Sequence, residues 1–265
     1  MPELPDLEVF AENLTKLILN KKIKNVKIIK ERPVFPLKSS EFISKIKDKK
    51  VVKINRVGKQ LLFTFDNDDK LLVHLMLHGE LMYNKIADEL PKFTCVVFEF
   101  EDNHQLIFSD FTQWMRLKIN SDDQRKSPWD EKFGLDPLSK EFTYALEGAE
   151  FKNKKGNIKQ LLMNQNEIGG LGNAYADEIL WKAGIKPERR ISSLNDSEIN
   201  NLYKTIPEVL KNAIKEIRKG QKGGITGEIR EFLAIHGKKN CPLGHSIKTV
   251  KIGGRGSEYC PVCQK

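Results

Sequence analysis

The stretch Ile168-Gly169-Gly170-Leu171-Gly172-Asn173 decides how this chain is read. Three glycines in five residues cannot continue a helix, yet helical spacing surrounds them on both sides. Asn157–Met163 reads as a short helix before the turn and Ala174–Ala183 as a second helix after it. Asn195 is placed to cap a longer helix whose apolar stripe is Ile199, Leu202, Ile206, Val209, Leu210, Ile214 and Ile217, with Gly220 as its stop. Pro207 falls inside that stripe and predicts a kink. A further helix is expected over Gly227–His236.

Upstream the texture differs. Pro5 suits a first helical turn, and Leu7, Phe10, Leu14, Leu17 and Ile18 recur at helical spacing. Between about residues 24 and 119 the pattern becomes short β-rich runs: Ile23–Ile29, Val51–Asn55, Leu61–Phe65, Leu71–Met76, Thr94–Phe100, Gln105–Ser109 and Met115–Ile119. No helix separates most of them, so the strands pair antiparallel in a sandwich or barrel. The polar segment Ser121–Pro137 reads as a linker. The expected class is α+β, with boundaries at 1–120 for the strand-rich domain, 121–149 for the linker, 150–237 for the helical domain and 238–265 for the tail.

That tail holds three of the four cysteines. Cys241, His245, Cys260 and Cys263 form a Cys-x3-His…Cys-x2-Cys set around a strand–turn–strand at Gly253-Gly254-Arg255-Gly256. Four thiolate and imidazole donors suit one tetrahedral Zn²⁺, and four filled positions leave no bound water, so the zinc is structural. Two alternatives stand beside this: a disulfide with one spare cysteine, or His236 in place of His245. Cys95 lies in an apolar strand and reads as core.

The net charge of +9 is unevenly placed. Residues 1–149 carry 24 basic and 24 acidic side chains, whereas 150–265 carry 21 and 12. The excess marks the second half as a polyanion binder, or as a solvated lysine-rich surface. No apolar run reaches the ~18 residues that a membrane helix needs, so no membrane partner is expected. The acidic, proline-broken N-terminus does not read as a signal peptide, which places the chain in the cytoplasm, on the nucleoid if bacterial.

The N-terminus itself carries chemistry. An initiator Met is normally removed before a residue as small as Pro2, leaving a secondary amine. An α-amino group has a pKa near ~8, so part of it is neutral and nucleophilic at physiological pH. Glu3 beside it can act as a general acid or base. On residues alone, Pro2 can equally well be no more than a helix start.

Taken in order, Pro2-Glu3-Leu4-Pro5, Arg56-Val57-Gly58-Lys59, the Asn157…Gly172-Asn173 double-helix turn and the zinc hairpin resemble the formamidopyrimidine-DNA glycosylase/endonuclease VIII family of base-excision repair. The resemblance spans essentially the whole chain. It implies a β-sandwich with a flanking helix, a helix–two-turn–helix domain and a zinc finger. It also implies a bifunctional glycosylase and abasic-site lyase, acting as a monomer on damaged double-stranded DNA. By that resemblance Pro2 is the nucleophile at C1′, Glu3 protonates the opening sugar, and Lys59 contacts phosphate and assists. Asn173 and Arg255 grip the phosphates beside the lesion. Glu178 and Asp6 support the Pro2/Glu3 end, Asp6 standing where the family usually has Glu. Leu77 replaces the usual Met that fills the void of the flipped base. In Asp110-Phe111-Thr112-Gln113-Trp114-Met115, Gln113 replaces the Arg that reads the opposite base and Trp114 replaces the inserting Phe. Gln offers both donor and acceptor, so preference for an opposite cytosine is expected to weaken. The passage after Gly223-Gly224-Ile225-Thr226 is too short for the family's loop over 8-oxoguanine, which weighs against that lesion. A binder of abasic or distorted DNA without activity is the alternative; an RNA-binding module is a weaker third.

Overall fold

A computed structural model describes residues 1–119, 133–145 and 154–265. These form two compact units. The first comprises 1–2, 6–119 and 217–229; the second comprises 3–5, 133–145, 154–216 and 230–265.

The first unit is built on two antiparallel four-stranded sheets. Helix α1 (Leu4–Ile18) opens the chain and places Leu7, Phe10, Leu14 and Ile18 on one buried stripe. One sheet takes β1 (Ile23–Ile28), β6 (Thr94–Phe100), β7 (His104–Ser109) and β5 (Glu80–Lys85), in that order. The other takes β2 (Val51–Val57), β3 (Gln60–Phe65), β4 (Lys70–His74) and β8 (Arg116–Ile119). Phe63, Phe65, Leu71 and Val73 of one sheet share a single core with Val96, Phe98, Phe100 and Phe108 of the other. That shared core selects the sandwich.

Two elements of this unit have no counterpart among the expected helices and strands. Helix α2 (Ser39–Ile46) buries Phe42 and Ile46, a pair four residues apart inside a polar segment. Strand β5 is an edge strand with only Leu81 fully buried, so its alternation is faint.

In the second unit, α4 (Ile158–Met163) is capped by the Asn157 side chain, which accepts from the Gln160 N–H. Helix α5 (Asn173–Ala183) starts at Gly172 and stops at Gly184, whose φ of +73° is a left-handed helix end. Helix α6 (Asp196–Gln221) runs as one helix through Pro207. Asn195 caps it as expected, in a reciprocal box with Glu198: each backbone N–H reaches the other's side chain at 2.9 Å. Strands β9 (Lys248–Ile252) and β10 (Arg255–Tyr259) form the tail hairpin, and Gly253 and Gly254, both at positive φ, make its two-residue turn.

Three expectations need correction. The segment Gly227–His236 is not helical. The N–H groups of Ala234, Ile235 and His236, which a helix would direct to carbonyls four residues back, donate instead to the Glu178 carboxylate at 2.8–2.9 Å. Residues 217–229, read as part of the helical domain, belong to the sandwich unit, where Ile225 enters the core. Part of the expected 121–149 linker is ordered, with helix α3 over Lys140–Ala145; 121–132 and 146–149 lie outside the described residues.

Candidate active site

In the sandwich unit, Pro2 lines a cleft of about 480 Å³ together with Leu77, His78, Gly79, Glu80, Phe93, Ser109, Phe111, Gly227 and Glu228. Its wall is aromatic: His78 and Phe111 have ring centroids 4.5 Å apart, and Phe93 meets Phe111 at 5.9 Å. Phe93, Phe111 and Leu77 are all exposed. Exposed rings grouped in a cleft offer a stacking surface for a planar ligand.

The turn after β4 shapes one lip. The Gly79 N–H donates to the Leu75 carbonyl at 2.8 Å, and a Cβ on Gly79 would lie 2.3 Å from that oxygen, so only glycine closes the turn. The Met76 N–H donates to His74 Nδ1 at 2.9 Å. Leu77 is thereby presented at the tip. Burial, with the Lys59 and Arg116 charges nearby, holds the His74 imidazole down to about 4, so the ring is neutral and free to accept. Lys59 sits almost buried in the β2–β3 turn, after Gly58 at φ +56°. Arg56 in the same hairpin is fixed by Glu8 at 2.7 Å.

The second lip is the turn from β7 to β8. Asp110 organises it: one oxygen accepts from the Thr112 N–H (2.8 Å) and hydroxyl (2.6 Å), the other from the Trp114 and Met115 N–H groups at 2.8 Å each. Burial acts against the charge, but these donors outweigh it and hold the carboxyl below its ordinary value. Gln113 adopts φ +57° and Trp114 is about half exposed, so both stand at the turn's apex. Asp6 is fully buried on α1.

The second unit holds Glu3. Its carboxylate takes the N–H groups of Gly172 (2.8 Å), Ala174 (3.1 Å) and Tyr175 (3.4 Å) at the α5 N-terminus, where unpaired donors and the helix dipole favour an anion. A Cβ on Gly172 would lie 2.4 Å from that carboxyl group, so the glycine in the opening stretch is a matter of space. Asn173 Nδ2 donates to the Gly256 carbonyl at 3.0 Å and ties α5 to the hairpin beside Arg255. Asn173 Oδ1 and Ser257 Oγ are both buried there without a partner. The Glu178 carboxylate accepts the N–H groups of Ala234, Ile235 and His236.

A polar network behind α5 gave no sequence signal. Lys159, fully buried, reaches Asp177 at 2.5 Å, and Asp177 reaches His236 Nδ1 at 2.8 Å. Burial depresses the Lys159 ammonium. For His236 burial also lowers, but Asp177 and Glu258 outweigh it and raise the imidazole. His236 is thus committed to carboxylates and is not the fourth ligand of the cysteines.

The tail settles that set. Ligand atoms of Cys241, His245, Cys260 and Cys263 all lie within 4.8 Å of one another. Cys241 Sγ is 3.6 Å from His245 Nδ1 and 3.9 Å from Cys263 Sγ, too far for a disulfide and close to a tetrahedron's edge. All four cysteines are free. Three soft sulfurs and one imidazole fit Zn²⁺ and leave it no open position.

Family models match in three stretches: a formamidopyrimidine-DNA glycosylase N-terminal domain over residues 1–117, a formamidopyrimidine-DNA glycosylase H2TH domain over 133–223, and a zinc finger found in FPG and IleRS over 244–265. The formamidopyrimidine-DNA glycosylase of Pelotomaculum thermopropionicum is 36% identical over 274 residues, covering 100% of this chain and 99% of that protein. That of Shouchella clausii is 36% identical over 279 residues, covering 100% and 99%. Among solved structures, the Lactococcus lactis enzyme bound non-covalently to DNA containing an AP site superposes with a TM-score of 0.86 at 30% identity, covering 99% of each chain. The same enzyme with DNA containing FAPY-dG gives 0.87 at 31%, covering 99% of this chain and 100% of that one.

Proposed function

Because the chain belongs to the formamidopyrimidine-DNA glycosylase family, and is therefore a base-excision-repair DNA glycosylase with abasic-site lyase activity and one structural zinc, we propose that its chemistry runs through a Schiff base on Pro2. The observation that carries the reading is the position of Pro2 in the aromatic cleft.

With Met1 removed, the neutral Pro2 nitrogen bonds to C1′ of an everted nucleotide. The C1′–base bond breaks, its electron pair leaves with the base, and the base takes up a proton. Glu3 takes the proton that the attached nitrogen sheds and delivers it to O4′, the sugar opens, and the C1′–nitrogen bond becomes an iminium. The iminium acidifies C2′–H; loss of that proton expels the 3′ phosphate, and a further elimination expels the 5′ phosphate. Water then hydrolyses the imine and frees Pro2. Fixation of the Glu3 carboxylate by three N–H groups holds it in one place while its partner moves.

His78 and Phe111 stack the everted base, and Leu77 fills the gap it leaves. Gln113 and Trp114 meet the opposite strand, and Lys59, Asn173 and Arg255 hold phosphate. Asp6 and Glu178 support these elements from within. The substrate is damaged double-stranded DNA carrying an oxidised or ring-opened base, with weak preference for the opposite base and for 8-oxoguanine. The protein works as a monomer in the cytoplasm or on the nucleoid; among the described residues no helix is long and apolar enough to cross a membrane. Its functional division follows 1–120, 121–149, 150–237 and 238–265, with residues 217–229 of the third part lending Ile225 to the sandwich core.

Incubation with abasic-site DNA and borohydride should leave a covalent adduct on wild type and none on Pro2→Gly/Glu3→Gln. Absence of the wild-type adduct would leave a binder of abasic DNA as the surviving reading.

A further inference from the structure

One charged side chain in the Pro2 cleft has no task in this chemistry. The N-terminal nitrogen of Met1 lies 2.6 Å from Glu228 Oε1, and Glu228 lines the same cleft as Pro2. The segment carrying Glu228 is anchored. Ile225 is buried in the sandwich core, Asn13 Nδ2 donates to the Gly224 carbonyl at 2.8 Å, and Gln221 Nε2 donates to the Thr226 and Gly227 carbonyls at 2.9 and 3.0 Å. Gly227, at φ +82°, takes a conformation that side-chain-bearing residues avoid and leads the chain into Glu228. The segment that carries this carboxylate is thus anchored by the burial of Ile225 and three hydrogen bonds, and the carboxylate itself meets the chain terminus.

Removal of Met1 moves the terminal nitrogen back by one residue, about 3.8 Å of backbone. Glu228 is about a third exposed at 32%, and its flexible side chain can follow that shift. The other titratable side chains lining the cleft are His78 and Glu80.

We propose that Glu228 is the positioning residue of the nucleophile: it pairs with the secondary ammonium of Pro2 and seats that nitrogen in the cleft. The inference rests on the Schiff-base reading of Pro2. A carboxylate beside an amine favours the protonated form, so it raises the amine's titration midpoint; Gln in its place lowers it. The pair therefore stores the amine as an oriented ammonium, which gives its proton to solvent water before attack.

The test uses the processed protein labelled with [¹⁵N]proline, with Met1 removal confirmed by mass. Titration of the Pro2 nitrogen by NMR should show a midpoint lower by about one pH unit in Glu228→Gln than in wild type. Glu228→Asp, which keeps the charge, should return it toward the wild-type value. The acid limb of the borohydride-trapping rate should move to lower pH in step with the midpoint, with a several-fold lower plateau because the nitrogen is no longer seated. Superimposable titrations of wild type and Glu228→Gln would overturn the proposal. A wild type that never traps would sink the Schiff base instead, so the two failures are told apart.

Discussion

His74 shows how one residue couples a turn to pH. Its imidazole must stay neutral to accept the Met76 N–H that shapes the Leu77 turn. In the folded state its pKa falls from 6.5 to about 4, while the unfolded chain binds a proton near 6.5. Between those values the unfolded state holds more protons, so stability is present above the unfolded pKa and is lost as pH falls toward the folded one. The shift corresponds to at most about 3 kcal/mol. Urea unfolding of wild type should therefore weaken from pH 7 to pH 4, and His74→Asn should flatten that part of the dependence. Equal slopes in the two proteins would contradict the assignment. His236 shifts the opposite way, which a shared residue type and a helical expectation could not have told apart.

At the scale of elements, the hairpin β9–β10 depends on its four ligands. Ile235, Cys241 and Cys260 form a buried cluster of three residues there, too little apolar surface to fold a finger unaided. One equivalent of zinc per chain should be released by a strong chelator, with loss of DNA binding before the sandwich unfolds; metal analysis and tryptophan fluorescence would follow the two events. The same element shows why part of the molecule was legible. Cys-x3-His and Cys-x2-Cys are fixed by covalent spacing, and glycines 253 and 254 mark the turn in the sequence itself. The Asn195–Glu198 box was readable for the same reason: both partners lie within one helical turn. What sequence missed depends on long-range partners. The N–H groups of 234–236 are diverted by Glu178, some 56 residues upstream, and no local pattern announces that. Strand β5 gains its identity from pairing with β7, not from its own alternation. At the site, Pro2 and Glu3 were marked by position in the chain, whereas the Lys159–Asp177–His236 network and Glu228 needed three-dimensional neighbours.

For the whole molecule, charge governs affinity. The surplus of basic residues lies entirely after residue 149. Binding to abasic-site DNA should therefore weaken steeply with salt, through release of condensed counterions. Arg255→Ala should reduce the slope of log Kd against log salt by about one and leave lesion preference unchanged. Fluorescence anisotropy across a salt series would measure it; an unaltered slope would remove Arg255 from the phosphate contacts.

The burial of Ile225 carries a consequence for inheritance. The sandwich unit is assembled from pieces far apart in the gene, so the chain crosses between the two units five times. A single recombination breakpoint can exchange neither unit whole. A hybrid that takes residues 1–119 from a relative would still set the recipient's Ile225 in a foreign core and its Gly224 carbonyl against the foreign counterpart of Asn13. Residues 1–119 and 217–229 should thus change together during divergence, as one heritable block interrupted by another.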